Sequence, residues 1–219
     1  MSSFFEYVGQ CMPQLTLGLK LTLQMTVFSL ILAVVVGMVM CMFSISKVKP
    51  LNWISGIYLS LIRGTPLMVQ AFFIYFGITG ALHIRITPFS AAILVLCLNA
   101  GAYLSEIFRS GIAAVNKGQM EAAKSLGLSN KNAMRYVILP QAVKNILPAL
   151  GNEFVVMVKE TSLASVFFVG ELMTSYKTVQ STTFLAIPSL TIVGIIYFIL
   201  NFILTKILKV VERRLQASD

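Results

Sequence analysis

The chain has 219 residues, 57% apolar and 11% charged, with 17 basic residues against 8 acidic ones for a net charge of +9. Soluble domains carry roughly 25% charged residues and about 45–50% apolar ones. The shortage of charge therefore argues against soluble, disordered, collagen-like and disulfide-scaffold classes, and leaves a polytopic all-α membrane protein.

Residues 1–20 contain Glu6 and no basic residue before Lys20, and no small-residue cleavage site follows the next apolar run. This reads as an extracytoplasmic segment ahead of an uncleaved first span. Uncharged windows lie at 21–46, 64–84, 86–105 and 178–205, and a fifth apolar segment at about 146–170 carries Glu153, Lys159 and Glu160. A span needs about 20 residues, so five are expected, at about 21–45, 54–78, 88–112, 146–170 and 186–208. The implied organisation is 1–20 outside, a membrane domain at 21–210 and a cytoplasmic tail at 211–219.

Orientation follows from the basic residues. Lys47, Lys49, Arg109, Lys117, Lys124, Lys131, Arg135, Lys144, Lys206, Lys209, Arg213 and Arg214 share one side, twelve of the 17. Lys20, Arg85 and Lys177 share the other. The bias places the N-terminus outside and the C-terminus in the cytoplasm, and the net charge then reports topology, with no need for nucleic acid.

The longest connection, about 113–145, is the most polar part of the chain. Glu121 to Leu126 reads as a short helix ended by Gly127. Ser129 is placed to cap a second helix running to about Leu139, where Pro140 stops it. Units this small need a surface to dock on; a solvated loop is the plainer alternative.

Charges inside spans are costly and mark bundle interiors or pathways. Arg63 and Gln70, Asn99 and Glu106, and Glu153 and Glu160 are each seven apart, so each pair is expected on one helix face, about 10 Å apart. One reading is structural glue, with Arg63 paired to Glu106 or Glu160; the other is a polar pathway through the bundle. Gly64 and Pro66 open the backbone of the second span, which is tolerated beside protein or a watery cavity. Glu153, after Gly151-Asn152, suits an ammonium or guanidinium group, or a neighbouring cation. No GxxxxGK[ST], HExxH or GxSxG pattern occurs, and the single histidine, His83, sits in a connection. Cys11, Cys41 and Cys97 are too widely spaced for a metal or disulfide framework and read as packed apolar residues.

Glu121-Ala122-Ala123, three residues, Gly127, nine residues, then Val137-x-Leu139-Pro140 resembles the EAA motif of ABC importer permeases, with valine where isoleucine is commoner. Arg63-Gly64-Thr65-Pro66-Leu67 with Gln70, Tyr103 to Arg109, Lys117-Gly118-Gln119, Leu139-Pro140-Gln141-Ala142 and Gly151-Asn152-Glu153-Phe154 are similar to the polar amino acid uptake branch. The resemblance covers about residues 15–210.

It implies a type I importer permease fold in a bacterial cytoplasmic (inner) membrane, and a subunit that is not itself an enzyme. The implied partners are two ATPase subunits, a second permease copy, identical or paralogous, and an extracytoplasmic amino-acid-binding protein. This chain binds no cofactor; ATP and Mg belong to the ATPase. Glu121, Ala122, Ala123, Gly127, Leu139 and Pro140 fall to ATPase coupling. Thr65, Gln70, Asn99, Asn152 and Glu153 fall to the substrate, with Arg63, Glu106, Lys159 and Glu160 as structural or gating charges. The competing classes are a stand-alone ion-coupled carrier or channel, which has no need of an EAA unit, and an intramembrane enzyme, for which no nucleophile–base pair is present.

Overall fold

The computed structural model describes residues 2–83 and 85–216, and these are helical apart from short connections. α1 is Ser2–Ser44, α2 Lys49–Gly64 and α3 Leu67–Phe72, which runs on through a π turn, Phe73–Gly77, into α4, Ile78–Leu82. α5 is Pro88–Ala113, α6 Lys117–Ser125 and α7 Asn130–Ala133. A second π turn, Met134–Ile138, leads into α8, Leu139–Glu160, and a 3-10 stretch, Thr161–Phe167, follows it. α9 is Leu172–Thr183 and α10 Ala186–Gln216.

Among the described residues three helical stretches are long and apolar enough to cross a membrane: Tyr7–Ser44, Pro88–Ala113 and Ala186–Arg214. The bent pair α2 and α3 makes a fourth if it is one span. The first of these differs from expectation, because no helix boundary exists near residue 20. The segment before it is stabilised as helix by burial: Cys11 and Leu15 pack with Leu172, Val179, Ile192 and Val193 of α9 and α10. The expected tail at 211–219 is helical as far as Gln216, and 217–219 lie outside the described residues.

α5 sits at the centre. It lies against α1 with close backbone approach: a Cβ on Gly37 would fall 2.8 Å from Leu104 Cβ and 3.1 Å from the Gly101 carbonyl oxygen. Glycine at Gly37 and Gly101 lets the two backbones approach closely, the usual device where lipid supplies no hydrophobic drive. Ala33, Cys41, Ala100, Leu104, Phe108 and Met157 close this core. All three cysteines are buried and free.

Two expectations fail in instructive ways. Pro140 does not stop a helix. The chain stays helical from Asn130 to Glu160 because the π turn widens the preceding backbone, with Leu139 N–H donating to the Met134 carbonyl. Pro140 then falls in the first turn of α8, where its missing N–H costs little. The fourth apolar segment correspondingly begins at Leu139, and regular α-helix ends at Glu160, short of 170.

Candidate functional site

The second apolar segment is broken where Gly64 and Pro66 imply. Thr65 (φ −123°, ψ 146°) and Pro66 (φ −62°, ψ 139°) are extended, and the axis turns through 111° between Lys49–Gly64 and Leu67–Gly77. Proline removes a donor and disfavours the helical region for the residue before it. The freed carbonyls are then met by side chains. Thr65 Oγ1 donates to the Leu61 carbonyl (2.7 Å). Gln70 Nε2 donates to the carbonyls of Ile62 (2.7 Å) and Thr65 (3.0 Å), and lies 3.1 Å from Thr65 Oγ1. Asn99 Nδ2 of α5 donates to Gln70 Oε1 at 3.1 Å. Gln70 and Asn99 are buried. Thr65, Gln70 and Asn99 therefore form one hydrogen-bonded junction that ties the break to the central helix.

The 111° turn overturns the expectation that Arg63 and Gln70 share a stripe, since they sit on different helix axes. Arg63 instead reaches α5, with Nη1 2.5 Å from Glu106 Oε2. Of the two partners considered for it, Glu106 is the one found. Arg109 Nη2 lies 3.6 Å from the other Glu106 oxygen, and the Arg63 guanidinium stands 5.7 Å from the Tyr103 ring centre. Two arginines on one carboxylate leave an excess positive charge on this face of α5. Arg109 and Tyr103 were not assigned roles from sequence; their i+3 and i−3 spacing from Glu106 was the available signal.

On α8, Glu153 is buried, Glu160 is half-buried and Asn152 is exposed. Adjacent residues on a helix point about 100° apart, so Asn152 does not share Glu153's surroundings. A cavity of about 590 Å³ brings Leu67 and Met68, at the start of α3, together with Lys159 and Glu160 at the end of α8 and Ser162 in the 3-10 stretch. Its lining residues do not include Gln70, Asn99 or Glu153. Thus the expected substrate residues divide between a hydrogen-bonded junction with Thr65 at its exposed edge, a separate buried carboxylate and an exposed amide at Asn152, and two of the expected gating charges line the open space.

Glu171 was missed. It is fully buried and caps α9, accepting from Met173 N (2.5 Å), Thr174 N (2.9 Å) and Thr174 Oγ1 (2.7 Å). A carboxylate just ahead of a helix was its signal.

The polar connection forms a docked unit. Asn116 caps α6, its Oδ1 accepting from Gly118 N at 2.8 Å. α6 ends with Gly127 N–H donating to the Lys124 carbonyl (2.9 Å) and Leu128 N–H to the Ala123 carbonyl (3.1 Å). This Schellman arrangement needs Gly127 at φ +85°. Ser129 Oγ caps α7, accepting from Asn132 N at 3.3 Å. Ala123 is buried, and Met120 packs on Val115, Ile138 and Ala142. Glu121 and Ala122 are exposed, as are Leu139 and Pro140. Leu126, which the sequence places at the end of the short helix and to which it gives no role, is 84% exposed.

Residues 29–217 match the family described as "Binding-protein-dependent transport system inner membrane component". The chain is 41% identical over 207 residues to the arginine transport system permease protein ArtQ of Bacillus subtilis (strain 168), covering 94% of each. It is 36% identical over 210 residues to the glutamine transport system permease protein GlnP of Escherichia coli (strain K12), covering 95% of this chain and 96% of that one. A solved structure described as "Crystal structure of an amino acid ABC transporter with histidines" superposes with a TM-score of 0.92 at 41% identity, covering 96% of this chain and 98% of that one. An inward-facing MetNI methionine ABC transporter superposes at 0.77 with 19% identity, covering 93% and 97%; that likeness shows the fold alone.

Proposed function

The chain belongs to the binding-protein-dependent transport system inner membrane component family, and from that premise we propose that it is the translocating subunit of an ATP-driven importer of a polar amino acid. The observation that carries the reading is the exposed α6–Gly127–α7 unit. It is joined at one end to α5 and at the other, through continuous helix, to α8. A unit so connected passes a push on its outer face to two central helices as rigid-body motion. The polar amino acid class rests on the relatives named above and on the mixture of carboxylate, amide and guanidinium groups along α2, α5 and α8.

In this reading the chain crosses a bacterial inner membrane five times, N-terminus outside and C-terminus in the cytoplasm, with α8 as the fourth crossing. Two copies, or one copy and a paralogue, form the pathway. Two ATPase subunits bind and hydrolyse ATP with Mg, while this chain catalyses nothing. An extracytoplasmic binding protein delivers the cargo. Glu121, Ala122, Ala123, Gly127, Leu139 and Pro140 form the coupling surface. The backbone opened at Thr65 receives the α-carboxylate. Asn99 and Glu153 receive the α-ammonium or a cationic side chain, Gln70 supports Asn99 at the junction, and Asn152 meets the cargo from the exposed face of α8. Arg63, Glu106, Lys159 and Glu160 act as structural or gating charges.

Gly127→Val tests the coupling role. Nothing lies within 4 Å of a Cβ built there, so its cost is backbone strain alone, about 1–2 kcal/mol for a left-handed residue. The expected result in proteoliposomes of the reconstituted complex is lost uptake with cargo binding kept. Substrate-stimulated ATP hydrolysis at the wild-type rate would count against the assignment. For the cargo site, Glu153→Gln is expected to lower uptake at least tenfold with the assembly intact; ordinary uptake kinetics would remove Glu153 from the set.

A further inference from the structure

α2 carries a feature that translocation does not use. Ser55 and Tyr58 face inward: Ser55 Oγ donates to the Met40 carbonyl (3.0 Å) and Tyr58 OH to the Leu98 carbonyl (2.5 Å). The opposite face is open. Trp53, the chain's single tryptophan, is 72% exposed, and Ile54, Ile57 and Leu61 are exposed beside it. Gly56 has no atom within 4 Å of where a Cβ would stand, which leaves a furrow in the helix surface. Two hollows meet there, one of about 430 Å³ reaching Ser60 and Leu61, the other of about 380 Å³ reaching Lys49, and they share Trp53 and Ile57.

The charge at the end of this furrow has one sign. Lys47 and Lys49 are exposed at the start of α2, and no Asp or Glu occurs between Glu6 and Glu106. Among the described residues the two ion pairs belong to Arg63 and Arg109, not to these lysines. An apolar furrow running along α2 from Lys49 to Leu61, roughly 18 Å at 1.5 Å per residue, with an indole near its polar end and two ammonium groups beyond, matches one ligand chemistry. Tryptophan prefers the membrane interface, and clustered lysines next to a membrane helix attract anionic headgroups.

We propose that this face of α2 binds an anionic phospholipid, with an acyl chain in the furrow at Gly56 and the headgroup held by Lys47 and Lys49. A second copy of the chain is the alternative occupant, but it would have to bury two lysines against a surface supplying a carboxylate, and this chain has only 8 acidic residues.

The single tryptophan makes the test direct. The permease–ATPase complex is reconstituted in vesicles doped with lipids brominated on their acyl chains, either phosphatidylglycerol or phosphatidylcholine. Fluorescence is read as the difference between the wild-type and Trp53→Phe complexes, which isolates this residue from the ATPase's own tryptophans. Half-maximal quenching is expected at a mole fraction about thirtyfold lower for the brominated anionic lipid, since each of the two lysines near the surface contributes roughly 1 kcal/mol. In the Lys47→Gln/Lys49→Gln double variant the two lipids should quench alike. Equal quenching in the wild type would overturn the proposal, leaving only bulk lipid contact. So would no quenching by either lipid, which would place protein over the face. Selectivity that survives the double substitution would overturn the lysine assignment.

Discussion

α5 runs for 26 residues without a break, while its neighbour, the α2–α3 pair, turns through 111° at two residues. α5 is buried along much of its length and meets α1 through glycines. The broken pair leaves α2 with Ser55 as its only buried residue and satisfies its opened backbone with side chains instead. The two helices divide the work. Close packing gives α5 the stiffness to carry a displacement from the connection at 114–129. The polar break gives α2–α3 the hydrogen-bonding groups and the freedom to rearrange. Stiffness and chemical versatility make opposite demands on the backbone, and here they are met by different helices joined at Gln70 and Asn99.

The largest effect should come from damaging the stiff partner. In Gly101→Leu the new Cβ would lie 2.9 Å from Val36 Cγ1 and 3.1 Å from the Tyr58 hydroxyl. Overpacking costs typically ~1–3 kcal/mol, and here it separates two helices, so the expected result is loss of assembled complex on size-exclusion chromatography. An intermediate effect should follow at the joint. Gln70→Leu leaves the buried Asn99 amide unpaired, at a cost of about 1–3 kcal/mol, while the Ile62 and Thr65 carbonyls lie at a part-exposed break where water replaces the lost donor. The complex should assemble with a lower melting temperature and uptake reduced at least tenfold; uptake at the wild-type rate would mean the junction is not part of the moving machinery. The smallest effect is expected from Glu106→Gln. That ion pair is partly solvated, with side-chain exposures of 42% and 34%, and pairs of this kind contribute about 0–1 kcal/mol. Stability should change little, and a melting-temperature drop rivalling that of Gly101→Leu would break the ranking.

Much of the fold was legible because its signals are local. Uncharged length marks a span wherever it packs, and Gly64–Pro66 marks a break whatever surrounds it. Gly127 and Ser129 mark helix ends by their own chemistry, and both are found in those roles. The failures came where local rules meet tertiary context. Pro140 reads as a stop because the compensating π turn at Met134–Ile138 has no composition of its own. Residues before Lys20 read as a segment apart because their helix is stabilised by α9 and α10, about 160–180 residues away. The site was legible in its residue types and less so in its grouping. Seven-residue spacing placed Arg63 with Gln70, but that arithmetic assumes one axis, and Pro66 had already removed it. Glu171 escaped notice because it lies between elements, where no periodicity exists to single it out.

α1 has a consequence for how the whole body can move. Its 43 residues make a rod of roughly 65 Å at 1.5 Å per residue, about twice the hydrocarbon thickness of a bilayer, ~30 Å. Near one end the Tyr7 hydroxyl is hydrogen-bonded to Ser189 Oγ; at the other the Ser44 carbonyl accepts from Asn52 Nδ2. A rod pinned at both ends cannot stretch; Pro13 removes one backbone hydrogen bond near its start, but the helix runs on through it without an extended break of the Thr65–Pro66 kind. It must lean steeply or protrude, and it can answer a change in its neighbours only by pivoting. The layers it clasps are thereby obliged to travel together, which makes α1 the chassis on which the broken span works.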